Sequence, residues 1–125
     1  HYRTEISIGK HLLIADEPES LGGTDEGPVA TELLLSSLGT CTAVTVRMYA
    51  DRKEWPLDGV EVTLSLNQTT ESGQLSTEIE RNIELKGNLT EEQRERLMLI
   101  ADKCPVHKIL SNPINIETQM LRVFD

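Results

Sequence analysis

The residues best suited to chemistry in this chain are its two cysteines, Cys41 and Cys104, 63 positions apart. Cys104 stands in the run Cys104-Pro105-Val106-His107. Pro105 fits the first position of a helix, which puts Cys104 at the N-cap. Unpaired backbone N–H groups and the helix dipole favour a thiolate there. His107, one turn on, could add positive charge. The plainer alternative is a small buried residue that finishes an apolar stripe, a common use of cysteine. Cys41 is different. It lies among leucines, small residues and β-branched residues in the middle of a long helical stretch, held away from water. Such surroundings leave a thiol inert unless a cation is brought to it. Arg81, Arg3 and Arg47 are the candidate cations. Arg81 stands out because it falls in phase with the apolar face of a strand; the alternative is an edge-strand arginine that snorkels to water.

Glu32 precedes Cys41 by nine residues. At ~100° per residue the two side chains point to opposite faces of one helix, ~13 Å apart along its axis. Glu32 could anchor an arginine that reaches the sulfur, or it could simply be a first-turn acid that favours the helix dipole. A metal site could draw on Cys41, Cys104, His107 and His11, but no second close pair of ligands supports one, and none is expected. No CxxC, phosphate-binding glycine loop or GxSxG occurs, so no cofactor is implied.

The elements that position these residues follow from patterning. Tyr2 to Ile8 and His11 to Ala15 read as strands joined by a Gly9-Lys10 turn. Asp16 to Gly27 is a loop. The helix runs from Pro28 to Arg52, with Pro28 in its first turn and Trp55-Pro56 beyond its end. It is apolar or small around its whole circumference, which suits burial on all sides. Val60, Val62, Leu64 and Leu66 alternate with polar residues, a half-buried strand. Gln68 to Ser76 reads as a polar loop. The next strand carries Ile79, Ile83 and Leu85 on one face. Thr90 and Gln93 form a capping box that opens a helix to about Lys103. Leu97, Ile100, Ala101 and Cys104 share one face. A short helical piece spans Val106 to Leu110, and Ile114, Ile116 and Thr118 suggest a last strand. The order ββ–α–ββ–α–β predicts an α+β fold of antiparallel pairs, in a single domain over residues 1–125.

The net charge of −9 argues against nucleic acid or an anionic membrane as partner. No run is expected to reach the ~18 apolar residues of a membrane span. Two distant cysteines without a dense disulfide pattern fit a cytoplasmic protein. The first residue is His1 rather than Met, consistent with a native N-terminus lying further upstream. One small domain can hardly cover a fully buried helix, so a homodimer that shares its core is expected.

Together these residues resemble the osmotically inducible protein C / organic hydroperoxide resistance (OsmC/Ohr) family. The matching runs are Leu13 to Pro18, Gly22-Gly23-Thr24-Asp25, Gly27-Pro28, Glu32 to Leu35, Leu38 to Ala43, Arg47 to Arg52 and Ala101 to Lys108. A helix-embedded cysteine paired with Cys-Pro-Val-His is specific for this family. The resemblance implies antiparallel sheets wrapped around long central helices in an intertwined homodimer. It implies a thiol peroxidase acting on small organic hydroperoxides, with an external dithiol as reductant. Cys41 would be the peroxidatic thiolate and Cys104 the resolving thiol, the reverse of the ranking that local electrostatics suggest. Two positions depart from the family pattern. The arginine-anchoring glutamate stands ten residues before the peroxidatic cysteine in the family; here that position is Thr31, and Glu32 is one later. The family's thiolate-partner arginine follows a glycine pair near the first strand, and here only Arg3 is near. These departures place the chain nearer the OsmC-like branch. They leave a second function open: a non-catalytic module that binds a small apolar or thiol-containing ligand in the dimer groove.

Overall fold

The computed structural model describes residues 1–122. Two antiparallel hairpins and three α-helices make an α+β arrangement. Strands β1 (Thr4–Ile8) and β2 (His11–Ala15) pair with Ile8 opposite His11, so the Gly9-Lys10 turn stands where the sequence puts it. The following loop contains one 3-10 turn, Glu19–Leu21. Helix α1 spans Ala30–Lys53. Val29 is its N-cap, so Pro28 lies just outside the helix rather than in its first turn.

Strands β3 (Gly59–Glu71) and β4 (Gln74–Lys86) form the second hairpin. It is longer than the alternation suggests. The expected polar loop over residues 68–76 is mostly paired strand, because Gln68 faces Thr77 and Thr69 faces Ser76 across the ladder. Only Ser72 and Gly73 turn the chain, both at positive φ (52° and 78°). That is the geometry two-residue hairpin loops favour, and Gly73 adopts it without steric cost. The outer half of this ribbon is solvated on both faces, so period-two hydrophobicity never marks it.

Helix α2 spans Glu91–Ala101 and is opened by the expected capping box: Gln93 N–H donates to Thr90 Oγ1, and Thr90 N–H donates to Gln93 Oε1. Helix α3 spans Pro105–Leu110 with Cys104 as its N-cap. The last expected strand, around Ile114 to Thr118, does not form: among the described residues no strand pairs with it, and Ile116 is 82% exposed.

The core forms where α1, α2 and the inner end of the β3–β4 ribbon meet. Val46, Ala50, Leu57, Leu85, Leu89, Leu97 and Ala101 are buried there. Gly39 brings α1 close to β3; a Cβ at that position would stand 2.8 Å from Leu64 Cδ1. The buried line on α1 is Leu38, Thr42, Val46 and Ala50, one residue per turn. Burial of α1 on all sides does not occur within this chain: Leu34, Val44 and Met48 remain open on its other faces. By length and composition alone α1 is long and apolar enough to cross a membrane, contrary to the expectation from sequence. Its partners in this chain are β3, α2 and α3.

Candidate functional site

The site grows from the junction of α2 and α3. Helix α2 ends at Ala101, and Cys104 turns extended (φ −67°, ψ 141°) before Pro105 restarts the chain as α3. That turn drives the Cys104 side chain inward, where none of it is exposed. The His107 backbone N–H donates to Cys104 Sγ (3.3 Å). Across from it, Thr42 Oγ1 of α1 stands 3.9 Å from the same sulfur. Thr42 is itself fully buried. Its hydroxyl donates to the Leu38 carbonyl (2.7 Å), which leaves the oxygen lone pairs to accept.

Arg81 supplies the charge. It sits on β4 directly opposite Leu64, on the apolar face as its phase requires, with its side chain 12% exposed. Nη1 donates to Thr42 Oγ1 (3.0 Å). Nη2 donates to Asp102 Oδ1 (2.7 Å) and lies 3.1 Å from His107 Nδ1. One guanidinium therefore ties β4 to α1, to the α2–α3 turn and to α3. A planar fork with donors in fixed directions can do this; a single ammonium cannot.

Cys41 precedes Thr42 on α1, one residue from the hydroxyl that lies against Cys104 Sγ. Its surroundings differ from those expected. Cys41 is half-buried rather than sealed, and its sulfur takes part in none of the hydrogen bonds that organise the site. It shares a helix face with Leu34, seven residues earlier. Leu34 and Leu38 line a groove of about 620 Å³ with Leu66, Ile79, Arg81 and His107. Leu110 and Ile114 add to its aliphatic wall, and Thr77 and Ser111 join Arg81 and His107 as its polar members.

Among the described residues, none of the other named residues hydrogen-bonds to either sulfur. Glu32 caps α1: its Oε1 accepts from the Val29 N–H (2.9 Å), the plainer of its two readings. Arg3 lies on the first hairpin, paired with Glu5 (2.8 Å) and Glu26 (3.5 Å). Arg47 donates to the Leu57 carbonyl. His11 is exposed on β2. Among the described residues no group of three His, Cys, Asp or Glu side chains gathers to hold a metal. Thr42 and Asp102 were not singled out by sequence. Thr42 had a readable signal, a hydroxyl on a stripe otherwise made of Leu38, Val46 and Ala50. Asp102 had none, because its role depends on Arg81 reaching over from β4.

The loop between β2 and α1 has its own organising carboxylate. Asp16, 3% exposed, accepts from the Thr24 hydroxyl (2.7 Å) and from the backbone N–H groups of Glu17, Thr24 and Glu26. The Thr24 hydroxyl, followed by those N–H groups, holds the carboxyl down to about 2 against the opposing effect of burial.

Residues 23–119 match the family model described as OsmC-like protein. The chain is a member of that family. No curated protein matches it. Among solved structures, an OsmC-like protein from Mycoplasma pneumoniae superposes with a TM-score of 0.74 at 19% identity, over 87% of this chain and 79% of that one. An organic hydroperoxide resistance protein from Elizabethkingia anophelis, with crystallant-derived thiocyanate bound, gives 0.62 at 18% identity over 86% and 85%. The organic hydroperoxide resistance protein OsmC from Legionella pneumophila gives 0.61 at 16% identity over 88% and 89%. At these identities the likeness is one of fold.

Proposed function

We propose that this member of the OsmC-like family is a cysteine-based peroxidase that reduces organic hydroperoxides through Cys41 and Cys104. The observation that carries the reading is the shared residue pair between the two cysteines. Arg81 binds the Thr42 hydroxyl, Thr42 neighbours Cys41 in sequence, and the same hydroxyl lies against Cys104 Sγ. The difference in exposure divides the roles. Half-buried Cys41 is the sulfur open to a peroxide in the single chain; Cys104 is fully buried and suits a resolving role within the protein.

In the first step the Cys41 thiolate attacks the terminal oxygen of ROOH. The S–O bond forms, the O–O bond breaks, and RO⁻ departs and takes up a proton from water. Cys41 is left as a sulfenic acid. Cys104 attacks that sulfur, water leaves, and a disulfide joins the two helices. An external dithiol attacks the disulfide at Cys41, and Cys104 departs as a thiolate stabilised by the His107 N–H. Two-electron oxidation of the protein balances two-electron reduction of the peroxide, and the dithiol supplies the electrons.

The assembly that fits this reading is a homodimer. Val44 on α1, and Ile8, Leu12 and Leu13 on the first hairpin, are apolar and open in the single chain. A second copy covering them would complete the burial that α1's composition calls for. Unfolding is then concentration-dependent. Sedimentation showing a stable monomer at micromolar concentration contradicts it.

The test of function is thiol counting after one equivalent of tert-butyl hydroperoxide. Loss of both thiols per chain within one molecule supports the peroxidase. Two thiols that stay free support a binding module instead, with the groove beside Arg81 as its pocket.

A further inference from the structure

Arg81 Nη2 and His107 Nδ1 stand 3.1 Å apart. A guanidinium has donors and no acceptor, so Nδ1 must be the accepting nitrogen of the ring. The ring proton of the neutral imidazole is then on Nε2. Arg81 can hold this arrangement because the second hydrogen of Nη2 is engaged by Asp102 Oδ1 at 2.7 Å, which fixes the guanidinium in place. His107 also lines the groove with Leu34, Leu38 and Ile79.

From this geometry, and resting on the peroxidase reading above, we infer that His107 is a catalytic hydrogen-bond donor, its Nε2–H directed at the RO oxygen of the hydroperoxide. As Cys41 attacks the terminal oxygen and the O–O bond breaks, negative charge builds on RO. The Nε2–H hydrogen bond stabilises that charge without giving up its proton, and the alkoxide is protonated by water. A neutral imidazole held in one tautomer by a fixed neighbour is a known form of electrophile. Against a groove wall made largely of aliphatic side chains such a donor acts on developing charge more strongly than it would in water. Asp102 and Arg81 are positioning residues in this scheme: they hold the tautomer and do not touch the peroxide.

The prediction separates peroxides by their leaving group. tert-Butyl hydroperoxide expels a strongly basic alkoxide and needs the donor. Peracetic acid expels acetate, which is weakly basic and needs little help. His107→Phe keeps ring volume and removes the donor. It should slow single-turnover oxidation of Cys41 by tert-butyl hydroperoxide by about 10²-fold or more, the usual effect of deleting one such donor, while the peracetic acid rate stays close to that of the unmodified protein. His107→Gln, which restores an N–H, should recover part of the loss. Equal slowing with both peroxides, or no slowing with either, overturns the inference. Nitrogen NMR of the unmodified protein reads the tautomer without any substitution. Nε2 protonated and Nδ1 bare is the expected state, and the opposite tautomer overturns the inference even if every variant misfolds. An unmodified protein that oxidises with neither peroxide removes the peroxidase reading itself and this role with it.

Discussion

The two cysteines could hardly be surrounded more differently. Cys104 is sealed, caps the start of α3, and accepts from a backbone N–H. Thr42, Arg81, Asp102 and His107 cluster on its side of the site. Cys41 sits in the middle of an unbroken helix, half open, with no polar partner at its sulfur. Ranked by hydrogen bonding alone, Cys104 is the better-partnered sulfur. Ranked by access, Cys41 is the one a substrate can reach. The difference teaches that stabilising a thiolate and exposing it are separate tasks. On the proposed peroxidase reading they fall to separate residues: the reachable sulfur makes the attack, and the buried one leaves when the disulfide is reduced.

The sharpest way to break this division is to remove each sulfur in turn. Cys41→Ser should abolish turnover of tert-butyl hydroperoxide while the fold survives. Cys104→Ser should keep the first oxidation and lose steady-state turnover. Identical behaviour of the two variants in a single-turnover assay would show that the sulfurs do not divide the work.

Removing the shared cation has the next largest effect. Arg81→Met leaves the buried Thr42 oxygen and the Asp102 carboxylate without their donor. We expect a stability loss of ~1–3 kcal/mol, the usual cost of orphaning such partners, together with slower oxidation. Arg81→Lys should restore little, because one ammonium cannot span Thr42 and the Asp102–His107 pair. Denaturant unfolding of both variants checks this, and full rescue by lysine would contradict the account.

Thr42→Val is subtler, since it keeps the shape and deletes the hydroxyl. Arg81 Nη1 then loses its acceptor on α1, and a cost of ~1 kcal/mol or slightly more is expected from chemical denaturation. The change should slow resolution by Cys104 more than attack by Cys41. Slowing confined to the attack step would reverse the assignment.

The smallest effect lies away from the sulfurs, at Asp16. Its carboxyl titrates at about 2 in the folded chain, below the ~3.9 of an unfolded aspartate. The folded state therefore binds fewer protons in that range, and acid favours unfolding. The stability this group contributes is present above pH ~4 and is lost as pH falls toward ~2. Thermal unfolding of Asp16→Asn should show a shallower loss across that window than the unmodified chain. Parallel curves would remove Asp16 from the account.

Much of this site was legible in the sequence because it rests on local rules. Pro105 after Cys104 dictated an N-cap, Thr90 with Gln93 dictated a capping box, and the phase of Arg81 put it on the apolar face of β4. What stayed hidden depends on contacts between distant elements. The partners of Arg81 come from three different helices or turns, and no spacing rule links positions 42, 81, 102 and 107. The outer β3–β4 ribbon was missed because its strands are held by polar cross-strand pairs, such as Gln68 with Thr77, that carry no hydrophobic period. The final strand was expected from β-branched residues alone, and without a neighbouring strand that propensity counts for little. The composition of α1 pointed to burial on every side, but one copy of the chain covers a single stripe of it.

The central claim, that Cys41 attacks and Cys104 resolves, is tested most directly by trapping the sulfenic acid. Cys104→Ser is treated with one equivalent of tert-butyl hydroperoxide in the presence of dimedone, and the adduct is mapped by mass spectrometry, beside Cys41→Ser treated in the same way. The account predicts a single dimedone adduct at Cys41 in the first variant and none at Cys104 in the second. An adduct at Cys104 in Cys41→Ser, with no adduct at Cys41 in Cys104→Ser, would contradict it.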